Sequence, residues 1–283
     1  MGSSRTLAWP YLAGLTVLIA IPTTAAFVLA FTEYSGIQGP RFNGLDNFIR
    51  LLGDEQFWRA AGNSLVYAAI SVPLRLGGAL GFALLLHERR GGSGAARSIA
   101  YMPTVVPDVA YALLWLWLLN PLYGPLPLAL EEVGLTSPRW LTDPWAARVA
   151  IPVMGAFQIG EGFVIALAAR RLIPALLYDA AAVEGARPWF AFTRITLPLM
   201  TPVLALLALR DVVYSLQVNF IPALIVTDGG PRYATTYLPL YVYRAAFRYF
   251  RLGYASTMAL AMFVLTAAIV VIQYRLAKRW RLL

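Results

Sequence analysis

Six apolar runs, at residues 7–31, 64–86, 98–119, 149–169, 199–221 and 255–274, constrain this chain more than any motif in it. Each has the length, about 20 mostly apolar residues, that a helix needs to cross the hydrocarbon of a bilayer. Lipid offers no hydrogen bonds to an open backbone, so such a run must close its own as a helix. Charged residues make up 13% of the chain, half of the roughly 25% usual in soluble domains, which points to a membrane solvent. The first run is longer than a secretory signal core and lacks a small-x-small cleavage site, so it reads as a span. The chain has no cysteine, which excludes disulfides and thiolate metal sites.

Basic residues mark the orientation, because cytoplasmic connections carry the excess of Lys and Arg. With both termini inside, the inner connections hold Arg5, Arg89, Arg90, Arg97, Arg170, Arg171, Arg187, Arg194, Arg275, Lys278, Arg279 and Arg281. Only Glu88, Asp179 and Glu184 oppose them, whereas charge on the outer connections nearly balances. The net charge of +9 is therefore a topology signal. Basic residues dispersed at span ends argue against nucleic-acid binding.

The connections are short. The outer segment 32–63 has Gly and Pro turns and an amphipathic helix around residues 46–52, with Phe57 and Trp58 suited to the membrane interface. Outer segments 120–145 and 227–254 follow, rich in proline and aromatic residues respectively. No internal repeat or low-complexity linker interrupts the chain, so residues 1–283 read as one membrane domain. Gly77 and Gly81 have the spacing that lets helices approach closely.

Catalytic chemistry is scarce. The single histidine, His87, lies at a span end, which excludes metal sites needing several His or Cys ligands. The stretch GGSGAARS lacks the Gly-Lys pair of a phosphate-binding loop, and the one lysine, Lys278, lies far from it. This chain is not a Walker-type ATPase.

The stretch 176–202, LLYDAAAVEGARPWFAFTRITLPLMTP, breaks the apolar pattern. Residues 175–184 are strong helix formers after Pro174, and Gly185 is a good stop. A second short helix begins at Pro188 and should finish before Pro198, which disfavours helical geometry at Leu197. Three alanines, 180 to 182, make the first helix slim enough to lie deep in another protein's groove.

This stretch resembles the EAA loop of the membrane subunits of binding-protein-dependent ABC importers. Asp179, Ala180 and Ala181 match its opening triplet, Glu184, Gly185 and Ala186 its Asp-Gly-Ala, and Ile195, Leu197 and Pro198 its close. Asp179 and Glu184 exchange the acid of the family pattern while keeping its charge. FNGLDNFIRLL, FWRAAGNSL and TDGGPRYATTYLPLYVYRAAF are similar to the first-permease branch of the maltose-type sugar permeases.

The resemblance implies an all-α membrane protein with six transmembrane helices in the type I ABC importer permease fold. A cytoplasmic EAA coupling helix would lie in the loop 174–198. It implies a non-catalytic subunit in the plasma (inner) membrane of a bacterium, multi-pass, in contact with the lipid bilayer and carrying a carbohydrate by alternating access. Partners would be a second six-span permease, a dimer of ABC ATPase subunits holding ATP and Mg, and an extracellular solute-binding protein. This chain would bind no cofactor. Coupling to the ATPase falls to Asp179, Ala180, Ala181, Glu184, Gly185 and Ala186.

Ionisable groups at membrane depth are costly and face a bundle interior or a wet path. Gln158 and Glu161 share one helical face, and Arg210, Tyr214 and Gln217 another, with Asp211 beside the latter and Asn219 beyond it. These seven residues are candidate substrate-path groups. Structural ion pairs of Arg210 with Glu161 or Asp211 are the other reading. Arg75 and Asp108 read as structural, and Trp115 and Trp117 as packing. Two rival functions remain: an ion-coupled secondary transporter using Glu161 and Asp211 as proton sites, and a membrane enzyme acting on lipid-linked sugar. The first leaves the EAA stretch unexplained, and the second needs a His or carboxylate cluster that is missing.

Overall fold

The computed structural model describes residues 3–87 and 92–279. The orientation argument's Glu88, Arg89, Arg90 and Arg281, and the side chain of Arg5, lie outside the described residues. Within them the regular structure is helical apart from one two-stranded antiparallel ribbon, Thr32–Glu33 against Arg41–Phe42. Four helices are long and apolar enough to cross a membrane: Trp9–Leu29, Glu55–Leu85, Pro188–Thr227 and Leu252–Arg279. Two bent pairs bring the number to six if each is one span.

Neither bent pair is the straight span that residues 98–119 and 149–169 suggest. Ser93–Val105 and Asp108–Leu118 meet at 98°. Val106 is extended, with ψ 129°, ahead of Pro107, because a proline ring pushes the preceding residue out of the helical region. Pro144–Ala156 and Gly160–Leu172 meet at 51°. The Met154 and Gly155 carbonyls of Pro144–Ala156 accept from the N–H groups of Phe157 and Gln158 in a tightened last turn, and each takes a side-chain donor as well. Tyr111 Oη donates to the Met154 carbonyl at 2.8 Å, and Arg75 Nε to that of Gly155 at 2.9 Å.

Pro198 also departs from expectation. The helix does not stop before it: Leu197 is helical, with φ −62° and ψ −47°, and the rod runs from Pro188 to Thr227. A wide π-helical turn at Phe192–Thr196 precedes the proline, with the Leu197 N–H reaching the Phe192 carbonyl. Such a bulge re-registers the backbone where the proline ring would otherwise meet a carbonyl one turn back.

The described residues gather into two compact units. The smaller comprises the chain up to Arg59 together with Leu238–Leu265. Here Asn47 Nδ2 donates to the carbonyls of Ala30 at 3.1 Å and Thr32 at 2.9 Å. Those bonds fix the helix Asp46–Leu52 against the ribbon. Asp54 caps the following helix, its Oδ1 accepting from the N–H groups of Gln56 and Phe57. Its Oδ2 accepts from Tyr241 Oη at 2.8 Å and Tyr254 Oη at 2.6 Å. Burial alone would raise the Asp54 carboxyl, but these four hydrogen bonds outweigh it and hold the group below its usual range.

The larger unit, Ala60–Tyr237 with Thr266 onward, has a core of Ala79, Ala83, Phe163, Ala166, Leu167, Ile173, Met200 and Leu207. Small residues bring two helices together there, but not the expected pair of glycines. A Cβ on Gly78 would stand 3.4 Å from the Ile159 side chain and one on Gly162 3.5 Å from that of Ala79, while a Cβ on Gly77 or Gly81 would meet nothing within 4 Å. Asn63 Nδ2 donates to the carbonyls of Tyr233 and Thr236, pinning the segment before Leu238.

Candidate functional site

Four helices of the larger unit converge on a polar cavity of about 100 Å³. Arg75 comes from Glu55–Leu85, and Thr104 from the end of Ser93–Val105. Gln158 and Ile159 sit in the break, Glu161 and Gly162 in the first turn of Gly160–Leu172, and Arg210, Asp211 and Tyr214 on Leu197–Val218. The 51° break therefore has a purpose in the geometry. It opens the backbone where a straight helix would fill the space, and the Gly160 N–H donates to Thr104 Oγ1 at 2.9 Å.

Charge in the cavity is paired asymmetrically. Arg210 forms ion pairs with Glu161 and with Asp211, the latter at 3.2 Å. The Glu161 side chain is half exposed and that of Asp211 is 7% exposed, so the second pair is the desolvated one. Tyr214 lies between two guanidinium groups, with Arg75 4.7 Å and Arg210 5.6 Å from its ring centre. Gln158 Nε2 reaches Asp108 Oδ1 at 3.5 Å.

Five of the seven candidate path residues, Gln158, Glu161, Arg210, Asp211 and Tyr214, line this one cavity. Gln217 and Asn219 do not: Gln217 is exposed, and Asn219 is fully buried. Both amide atoms of Asn219 lack a hydrogen-bond partner among the described residues. Arg75, expected to be structural, and Thr104 line the cavity as well. A charge within a span was the available signal for Arg75, but periodicity could not say which face it occupies. Trp115 packs against Tyr111 and Phe157, and Trp117 is exposed.

The EAA stretch forms a separate feature. Its helix, Ala175–Val183, ends in a motif that accounts for the glycine. Gly185 has φ +75°, its N–H reaches the Ala182 carbonyl at 3.0 Å, and the Ala186 N–H reaches that of Ala181 at 2.9 Å. This paired closure needs a left-handed residue at that position. Tyr178 ties the helix to its neighbours, with its hydroxyl 2.8 Å from Thr196 Oγ1 and the Arg170 guanidinium 4.5 Å from its ring centre. Asp179, Ala180, Glu184 and Gly185 are exposed, and Ala181 and Ala186 partly so. Leu176, Val183 and Trp189 add large exposed apolar side chains beside them.

The chain is 33% identical over 276 residues to the probable ABC transporter permease protein YesP of Bacillus subtilis (strain 168), covering 96% of this chain and 89% of that relative. It is 31% identical over 274 residues to the trehalose/maltose transport system permease protein MalF of Thermococcus litoralis, covering 95% and 91%. Its fold matches a chain of the bacterial alginate ABC transporter, solved in complex with an alginate pentasaccharide-bound periplasmic protein. The TM-score is 0.84 at 25% identity, over 97% of this chain and 93% of that one. No family model matches.

Proposed function

This chain belongs to the sugar ABC transporter permeases, and we propose that it forms the sugar path of an ATP-driven importer together with a second permease. Membership removes the ion-coupled reading of Glu161 and Asp211, since the relatives are permeases of ABC systems. The observation that carries the proposal is a single rod, Pro188–Thr227, that lines the polar cavity with Arg210, Asp211 and Tyr214 and meets the exposed EAA helix where Thr196 bonds Tyr178.

In this reading the EAA helix docks on a dimer of ATPase subunits, which hold ATP and Mg. Its exposed alanines permit close approach, and Leu176 and Val183 supply the apolar contact. An extracellular solute-binding protein delivers a carbohydrate to the outer face. The chain lies in the bacterial inner membrane with both termini in the cytoplasm, its two compact units acting as one transmembrane domain. Gln158, Glu161, Arg210, Asp211 and Tyr214 meet the sugar's hydroxyls.

Reconstitution tests this. The permease, its partner permease, the ATPase and the binding protein in proteoliposomes should take up radiolabelled sugar only with ATP and the binding protein present. Uptake driven by an ion gradient without ATP would overturn the proposal.

A further inference from the structure

Arg75 is 3% exposed, yet among the described residues its guanidinium makes one hydrogen bond, from Nε to the Gly155 carbonyl. Its Nη1 is buried without a hydrogen-bond partner among the described residues. Leaving a charged donor unsatisfied away from water is costly, so such a group calls for an acceptor. The carboxylates nearby are engaged elsewhere. Glu161 and Asp211 are ion-paired to Arg210, and Asp108 accepts from Gln158. Asp211 also interacts electrostatically with Arg75, but its hydrogen bond goes to Arg210.

We infer that Arg75 binds the substrate through Nη1 and that the cavity it lines selects uncharged sugars over acidic ones. The inference rests on the importer reading above and names the substrate class of that site. Two guanidinium groups and two carboxylates line the cavity, so its formal charge is already balanced. A hydroxyl or ring oxygen satisfies Nη1 without changing that balance. A carboxylate or phosphate on the sugar brings an uncompensated negative charge beside Glu161 and Asp211, and like charges at close range in a poorly solvated site repel strongly. Tyr214 holds the guanidinium in place from its ring face.

The test uses the full complex with its binding protein in proteoliposomes. A panel of neutral mono- and disaccharides is presented beside the matching uronates and sugar 6-phosphates. Direct binding of the same panel to the detergent-solubilised complex, without the binding protein, separates the permease's preference from that of the delivery protein. The wild-type complex should bind and import a neutral member and reject its acidic counterparts. Arg75→Gln should lower that uptake at least about tenfold, the scale of a hydrogen bond to a charged group, with the amount of assembled complex unchanged. Arg75→Lys, which keeps charge and one donor, should recover part of it.

Preference of the wild-type permease for the acidic sugars would overturn the charge argument. Uptake by Arg75→Gln within twofold of wild type would overturn the binding role. If Arg75→Gln fails to assemble, Arg75→Lys decides: assembly with wild-type uptake and wild-type sugar affinity sinks the role, and assembly with weakened affinity supports it. If neither variant assembles, Arg75 is a structural residue and the binding role falls. No ATP-driven uptake of any sugar by wild type would sink the importer reading itself.

Discussion

The side chain of Arg75 lies across the backbone of Gly155, its Nε bonded to the Gly155 carbonyl at 2.9 Å and its Nη2 only 3.0 Å from where a Cβ on that glycine would stand. The same Cβ would stand 2.6 Å from Tyr67 Oη. One missing methyl thus lets a long cation reach the cavity at the point where a helix breaks.

Gly155→Ala should therefore displace Arg75 and Tyr67 together. Overpacking of this kind typically costs about 1–3 kcal/mol. A lowered melting temperature of the purified complex, with transport reduced more than assembly, is the expected outcome. An unchanged melting temperature would show that the backbone relaxes freely there.

Glu161 and Asp211 should behave differently although both pair with Arg210. Glu161→Gln leaves Arg210 its bond to Asp211, so assembly should hold while transport falls. Asp211→Asn removes the buried partner and should reduce the yield of assembled complex, because losing one member of a desolvated pair strands the other. Size-exclusion yields of the two variants, compared with uptake, check the order. Equal assembly losses would mean exposure does not distinguish the pairs.

At the EAA helix, φ +75° at Gly185 costs a bulky L-residue on the order of 1–2 kcal/mol. Gly185→Val should weaken copurification of the ATPase subunits and abolish uptake while the permease still inserts. Gly185→Asn, which tolerates that conformation, should keep a substantial part of both. Asp179→Lys should also weaken association, through charge and with the fold intact. Full sugar-stimulated ATP hydrolysis in Gly185→Val would contradict the coupling role.

Orientation is open to cysteine labelling, since the chain has no cysteine of its own. With an impermeant thiol reagent on intact cells, Ser137→Cys should be labelled and Ser93→Cys protected. The opposite pattern would place the EAA helix outside the cytoplasm.

The Asp54 carboxyl, held below its ordinary value, predicts a pH dependence of known sign. A depressed folded-state pKa gives stability that is present above the unfolded pKa and lost as pH falls through the folded one. Below about pH 4, the ordinary carboxylate range, the complex should lose thermal stability, and Asp54→Asn should flatten that part of the curve. Identical slopes for wild type and variant would remove Asp54 from the account.

What the sequence made legible was local. The EAA helix and its glycine stop depend on residues within one short stretch, and the helix Asp46–Leu52 on its own periodicity. What it hid depends on neighbours distant in the chain. The break after Ala156 is stabilised by Arg75 and Tyr111, from two other helices. The continuation through Pro198 depends on a change of helical register just upstream. Gly78 rather than Gly77 makes the close contact because Ile159 stands opposite it. The seven path candidates separated for the same reason, since periodicity places Gln217 on the stripe of Tyr214 while the cavity ends a turn earlier.

The rod Pro188–Thr227 carries Thr196, bonded to the EAA helix through Tyr178, and Arg210, fourteen residues further along. At a rise of about 1.5 Å per residue these points lie roughly 21 Å apart. A lever of that length, tilted by about 10° around its Thr196 end, swings Arg210 sideways by roughly 4 Å. Glu161 sits on a different helix, so a tilt of the rod alone would change its distance from Arg210, whereas Asp211 would travel with Arg210. Under such a tilt the two ion pairs of one arginine would divide into a clutch that can disengage and a coupling that turns with the shaft.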